Sequence, residues 1–148
     1  MRQAPATTFG EAMSQSPATR HPTRPRPLSP HLTVYRWPVT MTMSILHRIT
    51  GGALYVGALI VVWWLMAAAT SERYFTFVDG IVGSWFGLLV LFGFTWALFH
   101  HMLGGVRHLI WDTGAGLEKH NATLLAWATL AGSVLLTVLV WIFFFLVG

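Results

Sequence analysis

The chain contains 148 residues, of which 55% are hydrophobic and 9% are charged, and its mean hydropathy is +0.61. This composition excludes an ordinary soluble domain, and the length leaves room for about three membrane spans but not for a separate catalytic domain. The net charge of +4 does not indicate nucleic-acid binding, because five of the nine basic residues precede the first apolar segment: Arg2, Arg20, Arg24, Arg26 and Arg36. The absence of cysteine excludes disulfides and cysteine-ligated iron–sulfur clusters, so a metal would need histidine, carboxylate or methionine ligands.

Residues 1–30 are rich in Pro, Ala, Thr, Ser and Arg, and they contain one acidic residue, Glu11. Such a segment cannot form a packed core, so we expect a mobile, mostly disordered N-terminal arm. Its composition fits a mitochondrial presequence and a disordered bacterial arm equally well. Residues 31–148 are predicted to form the membrane-anchor domain.

Three stretches without Asp, Glu, Lys or Arg follow the arm, at residues 49–71, 80–106 and 122–148. Each is longer than the roughly 20 residues that a helix needs to cross a bilayer. In lipid a single segment satisfies its backbone only as a helix. The sequence therefore predicts an all-α membrane protein with three spans, at roughly 44–71, 80–106 and 122–147.

The basic residues indicate the orientation of these spans. The segment before the first span carries five Arg, the second loop carries Arg107 and Lys119, and the C-terminus carries none. The positive-inside rule then places the N-terminus and the second loop on the cytoplasmic or matrix side. Two polar segments consequently meet at the same membrane face: the first polar string, Ser44–Arg48, and the second polar string, His101–Asp112.

The first polar string places Ser44, His47 and Arg48 at positions i, i+3 and i+4, on one helix face. A hydroxyl beside a guanidinium suits a quinone carbonyl, whose oxygen gains negative charge on reduction. The alternative is that His47 and Arg48 extend to the lipid headgroups and anchor the helix end.

The second polar string aligns four residues within about 60° of one helix face: His101, Gly105, His108 and Asp112. An imidazole is a common axial ligand of haem iron, and Gly104-Gly105 leaves space for a flat macrocycle. Arg107 and His108 could pair with its propionates. The alternative is that His101 makes an interhelical hydrogen bond and that the glycines only allow close packing.

We expect mainly structural roles for several other residues of the spans. His100 points about 100° away from His101, so the two cannot bind one iron from the same side. Asp112 either pairs with Arg107 or supports proton delivery. We expect Gly83-x-x-x-Gly87 to be a helix-packing motif, and several tryptophans to be interfacial or lipid-facing: Trp63, Trp64, Trp85 and Trp141.

Two longer stretches carry a family resemblance. Residues 26–32 read Arg-Pro-Leu-Ser-Pro-His-Leu, and residues 44–51 read Ser-Ile-Leu-His-Arg-Ile-Thr-Gly. Residues 101–114 read His-Met-Leu-Gly-Gly-Val-Arg-His-Leu-Ile-Trp-Asp-Thr-Gly. These stretches resemble, in the same order, the two signatures of the cytochrome b membrane-anchor subunits of succinate dehydrogenase, respiratory complex II. The resemblance covers residues 26–148.

The resemblance implies a role for each polar residue. His101 matches the axial ligand of haem b, whose second axial ligand is expected on a small anchor subunit. The family positions near the haem propionates correspond to His47, Arg48 and His108. The family positions that line the ubiquinone site correspond to Ser44 and Arg48.

The resemblance also implies partners and a location. The partners are a flavoprotein subunit with FAD, an iron–sulfur subunit with the clusters, and the small anchor subunit. The complex oxidises succinate in its soluble subunits and reduces ubiquinone, so this chain alone is not the succinate-oxidising enzyme. The membrane is the bacterial inner or mitochondrial inner membrane. Alternatives are a haem-free structural anchor, a fumarate reductase anchor, or a fragment of a transporter or channel. A fragment of a transporter or channel would have polar residues within its spans, and residues 54–66 and 124–147 contain almost none.

Overall fold

The computed structural model describes residues 35–147, and the predicted mobile arm lies outside this range. Within it the chain forms four helices and no strand: α1 (Val39–Thr70), α2 (Glu72–Val82), α3 (Trp85–Asp112) and α4 (Lys119–Val147). The helices α1, α3 and α4 have 32, 28 and 29 residues and are apolar enough to cross a membrane. The predicted all-α fold with three spans is therefore confirmed, and the chain is an integral membrane protein.

The helix α3 packs against both α1 and α4, and it runs antiparallel to each of them. On the α1 side, His47 lies beside His101, and Gly57 lies against the ring of Phe94. On the α4 side, His100 lies opposite Ser133. This register brings the first part of α1 and the last part of α3 to the same end of the bundle.

The interface between α3 and α4 is built from small and polar side chains. Three residues of α4 are buried there, and each hydroxyl donates to a carbonyl of its own helix: Thr129 to Leu125 (2.8 Å), Ser133 to Leu130 (2.8 Å) and Thr137 to Ser133 (2.7 Å). Small residues let helix backbones approach closely in lipid, where apolar burial between helices gives little driving force. The α3–α4 pair thus packs without leaving these hydroxyls unsatisfied.

The short helix α2 includes residues 72–79, which lie between the first two predicted spans and were not expected to be helical. The Ser71 side chain caps it by accepting from the Tyr74 N–H at 3.3 Å. The indole N–H groups of Trp63 and Trp64 donate to the Tyr74 hydroxyl (2.8 Å) and the Asp79 carboxylate (3.2 Å). These two tryptophans, expected to be interfacial or lipid-facing, therefore attach α2 to α1.

The helix α3 begins and ends later than expected. Its start at Trp85 follows a tight turn from α2, in which Gly83 is the C-cap of α2 and Ser84 the N-cap of α3. Its last turns contain Arg107, which the charge distribution assigns to the second loop, and Asp112, which the helical phase of the second polar string already places on this helix. The connection to α4 is short, and the Trp111 indole N–H donates across it to the Gly116 carbonyl at 3.3 Å.

The pair Gly83 and Gly87 belongs to this tight turn, and not to a contact between spans as expected. A Cβ added at Gly87 would meet the backbone carbonyl oxygen of Val82, so the turn closes only because position 87 has no side chain.

We predict that Gly87→Ala destabilises the protein by about 1–3 kcal/mol, because the methyl group collides with backbone that cannot swing aside. Gly93→Ala is the matched control in the same helix, since a Cβ there meets nothing within 4 Å. Thermal unfolding of the two purified variants is the measurement. Equal unfolding temperatures would contradict the packing described for the turn.

Candidate functional site

The two polar strings are in direct contact at one end of the bundle. The rings of His47 and His101 stack with centroids 4.0 Å apart and planes within 4° of parallel. The His108 ring lies 5.3 Å from His47, centroid to centroid, and extends the cluster along α3. The structure thus brings together the residues that the charge distribution placed at one membrane face.

Two glycines make room for the stacked histidines. A Cβ added at Gly51 of α1 would lie 3.0 Å from Cε1 of His101, and one added at Gly104 of α3 would collide with Nδ1 of His47. Each histidine therefore occupies a notch in the opposite helix. This reciprocal fit fixes the rotation and the register of α1 against α3.

The hydrogen bond of His101 determines which of its nitrogens is free. Its Nδ1 lies 3.1 Å from the backbone carbonyl oxygen of His47, and a carbonyl can only accept, so Nδ1 carries the proton. The neutral ring then has its lone pair on Nε2, which has no hydrogen-bond partner among residues 35–147. Metal-binding histidines commonly show this arrangement, with Nδ1–H held by a carbonyl and Nε2 open to the metal.

The same carbonyl of His47 has a second side-chain donor that sequence reasoning missed. The Thr50 hydroxyl lies 3.0 Å from the His47 carbonyl oxygen and 2.8 Å from that of Leu46. Thr50 is 2% exposed. Its position three residues after His47 was the available signal, because threonine in a helix often bonds back to the preceding turn.

His100 lies on a different face from its neighbour. It is 1% exposed, its Nδ1 lies 3.4 Å from the Ser133 hydroxyl, and its ring stacks on Trp96 at 5.2 Å between centroids. The difference in helical phase thus directs His100 into the α3–α4 interface and His101 toward α1.

Arg107 is a buried cation with no counter-charge among residues 35–147. It is 3% exposed, and its Nε and one terminal nitrogen have no hydrogen-bond partner in this range. Its guanidinium carbon lies 5.1 Å from the ring centroid of Trp111, whose ring also meets His108 edge-on at 5.2 Å. Pairing with Asp112, one of the two roles considered for that residue, is not seen, because positions five apart are about 140° apart on a helix and Asp112 is exposed.

Ser44 and Arg48 lie one turn apart on α1, on either side of His47 in the sequence. Ser44 is half-buried and Arg48 is exposed. Neither side chain makes a hydrogen bond or ion pair to another residue in the described range. A hydroxyl and a guanidinium are therefore both available to a ligand at this end of α1.

Open space borders the cluster on the α3 side. A Cβ added at Gly105, one turn after His101, would meet nothing within 4 Å. A separate, purely apolar groove of about 340 Å³ lies between α1 and α3, lined by Ala53, Val56, Gly57, Ile60, Val61, Val90, Leu91, Gly93 and Phe94. None of the polar-string residues lines that groove, so the groove is distinct from the cluster of polar side chains.

Residues 22–140 match the family model of the succinate dehydrogenase/fumarate reductase transmembrane subunits. The chain belongs to this family. It is 51% identical over 120 residues to the succinate dehydrogenase cytochrome b556 subunit of Paracoccus denitrificans, covering 81% of this chain and 92% of that protein. It is also 38% identical over 117 residues to the subunit of the same name from Rickettsia conorii, covering 79% of this chain and 91% of that protein.

A mitochondrial relative extends the comparison. The chain is 41% identical over 100 residues to the succinate dehydrogenase cytochrome b560 subunit of Sus scrofa, covering 66% of this chain and 59% of that protein. The resemblance found in the sequence is thereby confirmed, and the chain is a membrane-anchor subunit of this family. The roles of individual site residues stay predictions.

We predict that His101 in the ligand-free chain is protonated on Nδ1 and unprotonated on Nε2. Nitrogen-15 NMR of the full chain, labelled at histidine and reconstituted in lipid, distinguishes the two nitrogens by their chemical shifts. His108 is the internal reference, because no hydrogen bond to another described residue fixes its tautomer. A proton found on Nε2 of His101 would contradict the hydrogen-bond assignment.

Proposed function

We propose that this membrane-anchor subunit binds haem b with a partner subunit and helps to form the ubiquinone-reduction site of a succinate dehydrogenase. Electrons from succinate oxidation would pass to quinone at the end of the bundle that contains both polar strings. The observation that carries the proposal is the His101 ring, whose Nδ1 is held by a backbone carbonyl while Nε2 is free.

The residues present fit a haem. Nε2 of His101 is a free nitrogen donor that this cluster offers an iron, and the described residues contain no group of three or more His, Cys, Asp or Glu side chains arranged to hold a bare metal ion. A haem would bring its own ring nitrogens as iron ligands, so few protein donors are needed, and the space beside Gly105 lies on the His101 face of α3. When bound, haem b would supply a one-electron redox centre.

Arg107 supports the same assignment. A buried guanidinium with unpartnered nitrogens is costly at membrane depth, by roughly 2.5–3.5 kcal/mol on insertion scales, unless an anion accepts from it. A propionate would satisfy it, and His108 and His47 lie close enough in the cluster to contribute further donors. Arg48 is a fourth candidate, because its exposed guanidinium follows His47 directly.

The site is incomplete without partner chains. His100 faces α4 and cannot serve as the second axial ligand, so we assign that ligand to a small anchor subunit. FAD and the iron–sulfur clusters would reside in the flavoprotein and iron–sulfur subunits, consistent with a chain that has no cysteine. The relatives above are named as succinate dehydrogenase subunits, which favours succinate oxidation over fumarate reduction as the physiological direction.

Ser44 and Arg48 are the proposed quinone-binding residues. The Ser44 hydroxyl donates to a quinone carbonyl, and the Arg48 guanidinium stabilises the negative charge that this oxygen gains on reduction. Asp112, exposed at the end of α3, is a candidate for proton delivery on the same face. In this proposal the N-terminus lies on the cytoplasmic or matrix side of a bacterial or mitochondrial inner membrane.

The haem-free structural anchor is the main alternative, and the haem spectrum tests it. His101→Ala is expected to abolish the reduced-minus-oxidised α-band of the purified complex, because the iron loses one of its two axial ligands. His100→Asn is the matched control and is expected to retain the band. An unchanged spectrum in His101→Ala, or a wild-type complex without any band, would overturn the haem assignment.

Arg48→Ala is expected to lower the rate of succinate-dependent quinone reduction by about 100-fold, the usual effect of losing one donor to a developing oxyanion. Ser44→Ala is expected to cost roughly tenfold, the value of one hydrogen bond. Arg73→Ala is the control, because Arg73 lies at the start of α2, just after the opposite end of α1.

The quinone assay needs an internal reference. Succinate oxidation with an artificial acceptor at the soluble subunits should stay at the wild-type rate in all three variants. Retention of full quinone reduction by Arg48→Ala, with normal haem content, would rule out the quinone role of Arg48.

A further inference from the structure

Thr50 and His101 donate to the same oxygen atom. The Thr50 hydroxyl lies 3.0 Å from the carbonyl oxygen of His47, and Nδ1 of His101 lies 3.1 Å from it. The hydroxyl has one proton, which it divides between this oxygen and the carbonyl of Leu46 at 2.8 Å. The N–H of the next helical turn is a further donor to the His47 carbonyl.

From this shared oxygen we infer that Thr50 is a positioning residue that tunes the electron donation of His101 to the haem iron. The inference rests on the proposed haem site. Donors that share one acceptor weaken one another, because each draws on the same lone-pair density. The Thr50 hydroxyl therefore limits how strongly the carbonyl accepts from Nδ1–H, and so how much negative charge the imidazole carries to Nε2.

The surrounding packing makes this hydrogen bond difficult to avoid. The His101 ring lies in the notch at Gly51, where an added Cβ would be 3.0 Å from Cε1, and it stacks on His47 at 4.0 Å between centroids. Rotating the ring to another partner would break both contacts. Since Thr50 is 2% exposed, water does not replace its hydroxyl readily.

A second threonine provides a matched control. Thr129 of α4 is also buried and bonds back to the carbonyl four residues earlier, Leu125, at 2.8 Å. No histidine donates to that carbonyl in the described part of the chain. Removing the Thr129 hydroxyl therefore has the same local effect on a helix without touching the His101 hydrogen bond.

The test is the haem midpoint potential of the assembled complex, measured by optical redox titration in Thr50→Val, Thr50→Ser and Thr129→Val. Thr50→Val keeps the shape and removes the hydroxyl, so the Nδ1–H bond strengthens and the more electron-rich imidazole favours oxidised iron. We expect its midpoint potential to shift to more negative values. Thr50→Ser retains a hydroxyl and should have the wild-type midpoint potential. The control Thr129→Val should also have the wild-type potential.

Each other result has a definite meaning. An unchanged or more positive potential in Thr50→Val overturns the inference, as does an equal shift in Thr129→Val, which would mean a general effect of helix bending. Should Thr50→Val not assemble, Thr50→Ala removes the same hydroxyl and must show the same shift. His101→Ala separates the two proposals: haem loss there with no shift in Thr50→Val refutes only the role of Thr50.

Discussion

The rest of the structure depends on the fit of two histidines into two glycine notches between α1 and α3. His47 occupies the space over Gly104, and His101 occupies the space over Gly51. A shift of one residue along either helix would turn its side chains by about 100° and remove both fits. This contact therefore fixes the crossing of α1 and α3, and with it the distance between the residues proposed to bind haem and those proposed to bind quinone.

The two sides of α3 differ in how their polar groups are satisfied. Against α4, the hydroxyls of Thr129, Ser133 and Thr137 all bond within their own helix, so that interface needs nothing from outside. At the α1 side, and at the end of the bundle that contains the two polar strings, three buried nitrogens have no partner among residues 35–147: His47 Nδ1 and two nitrogens of Arg107. The hydroxyls of the α3–α4 interface are therefore satisfied within the chain, and the region beside the α1–α3 interface is suited to bind a ligand.

The sequence predicted the three spans because uncharged runs longer than 20 residues have few alternatives in lipid. The helical phase of α3 likewise separated His101 from His100, since adjacent residues on a helix differ by about 100°. The short helix α2 was missed, because its charged residues and the length of its segment resemble a loop. The hydrogen bonds from Trp63 and Trp64 that attach it to α1 are tertiary contacts, which a local sequence pattern does not reveal. Thr50 was overlooked for the same reason, because its proposed role depends on the ring of His101, which lies 51 residues later in the sequence.

Arg107 links folding to assembly. The α3 helix buries a permanent cation whose partner is not among residues 35–147 of this chain, and it offsets only part of the cost through the face of Trp111. Any anion that binds there stabilises the folded form by mass action, so the lifetime of the free subunit is coupled to the supply of that ligand. If that ligand is the proposed haem, a subunit made in excess of it would keep this cation unpaired and would be less stable than the haem-bound form.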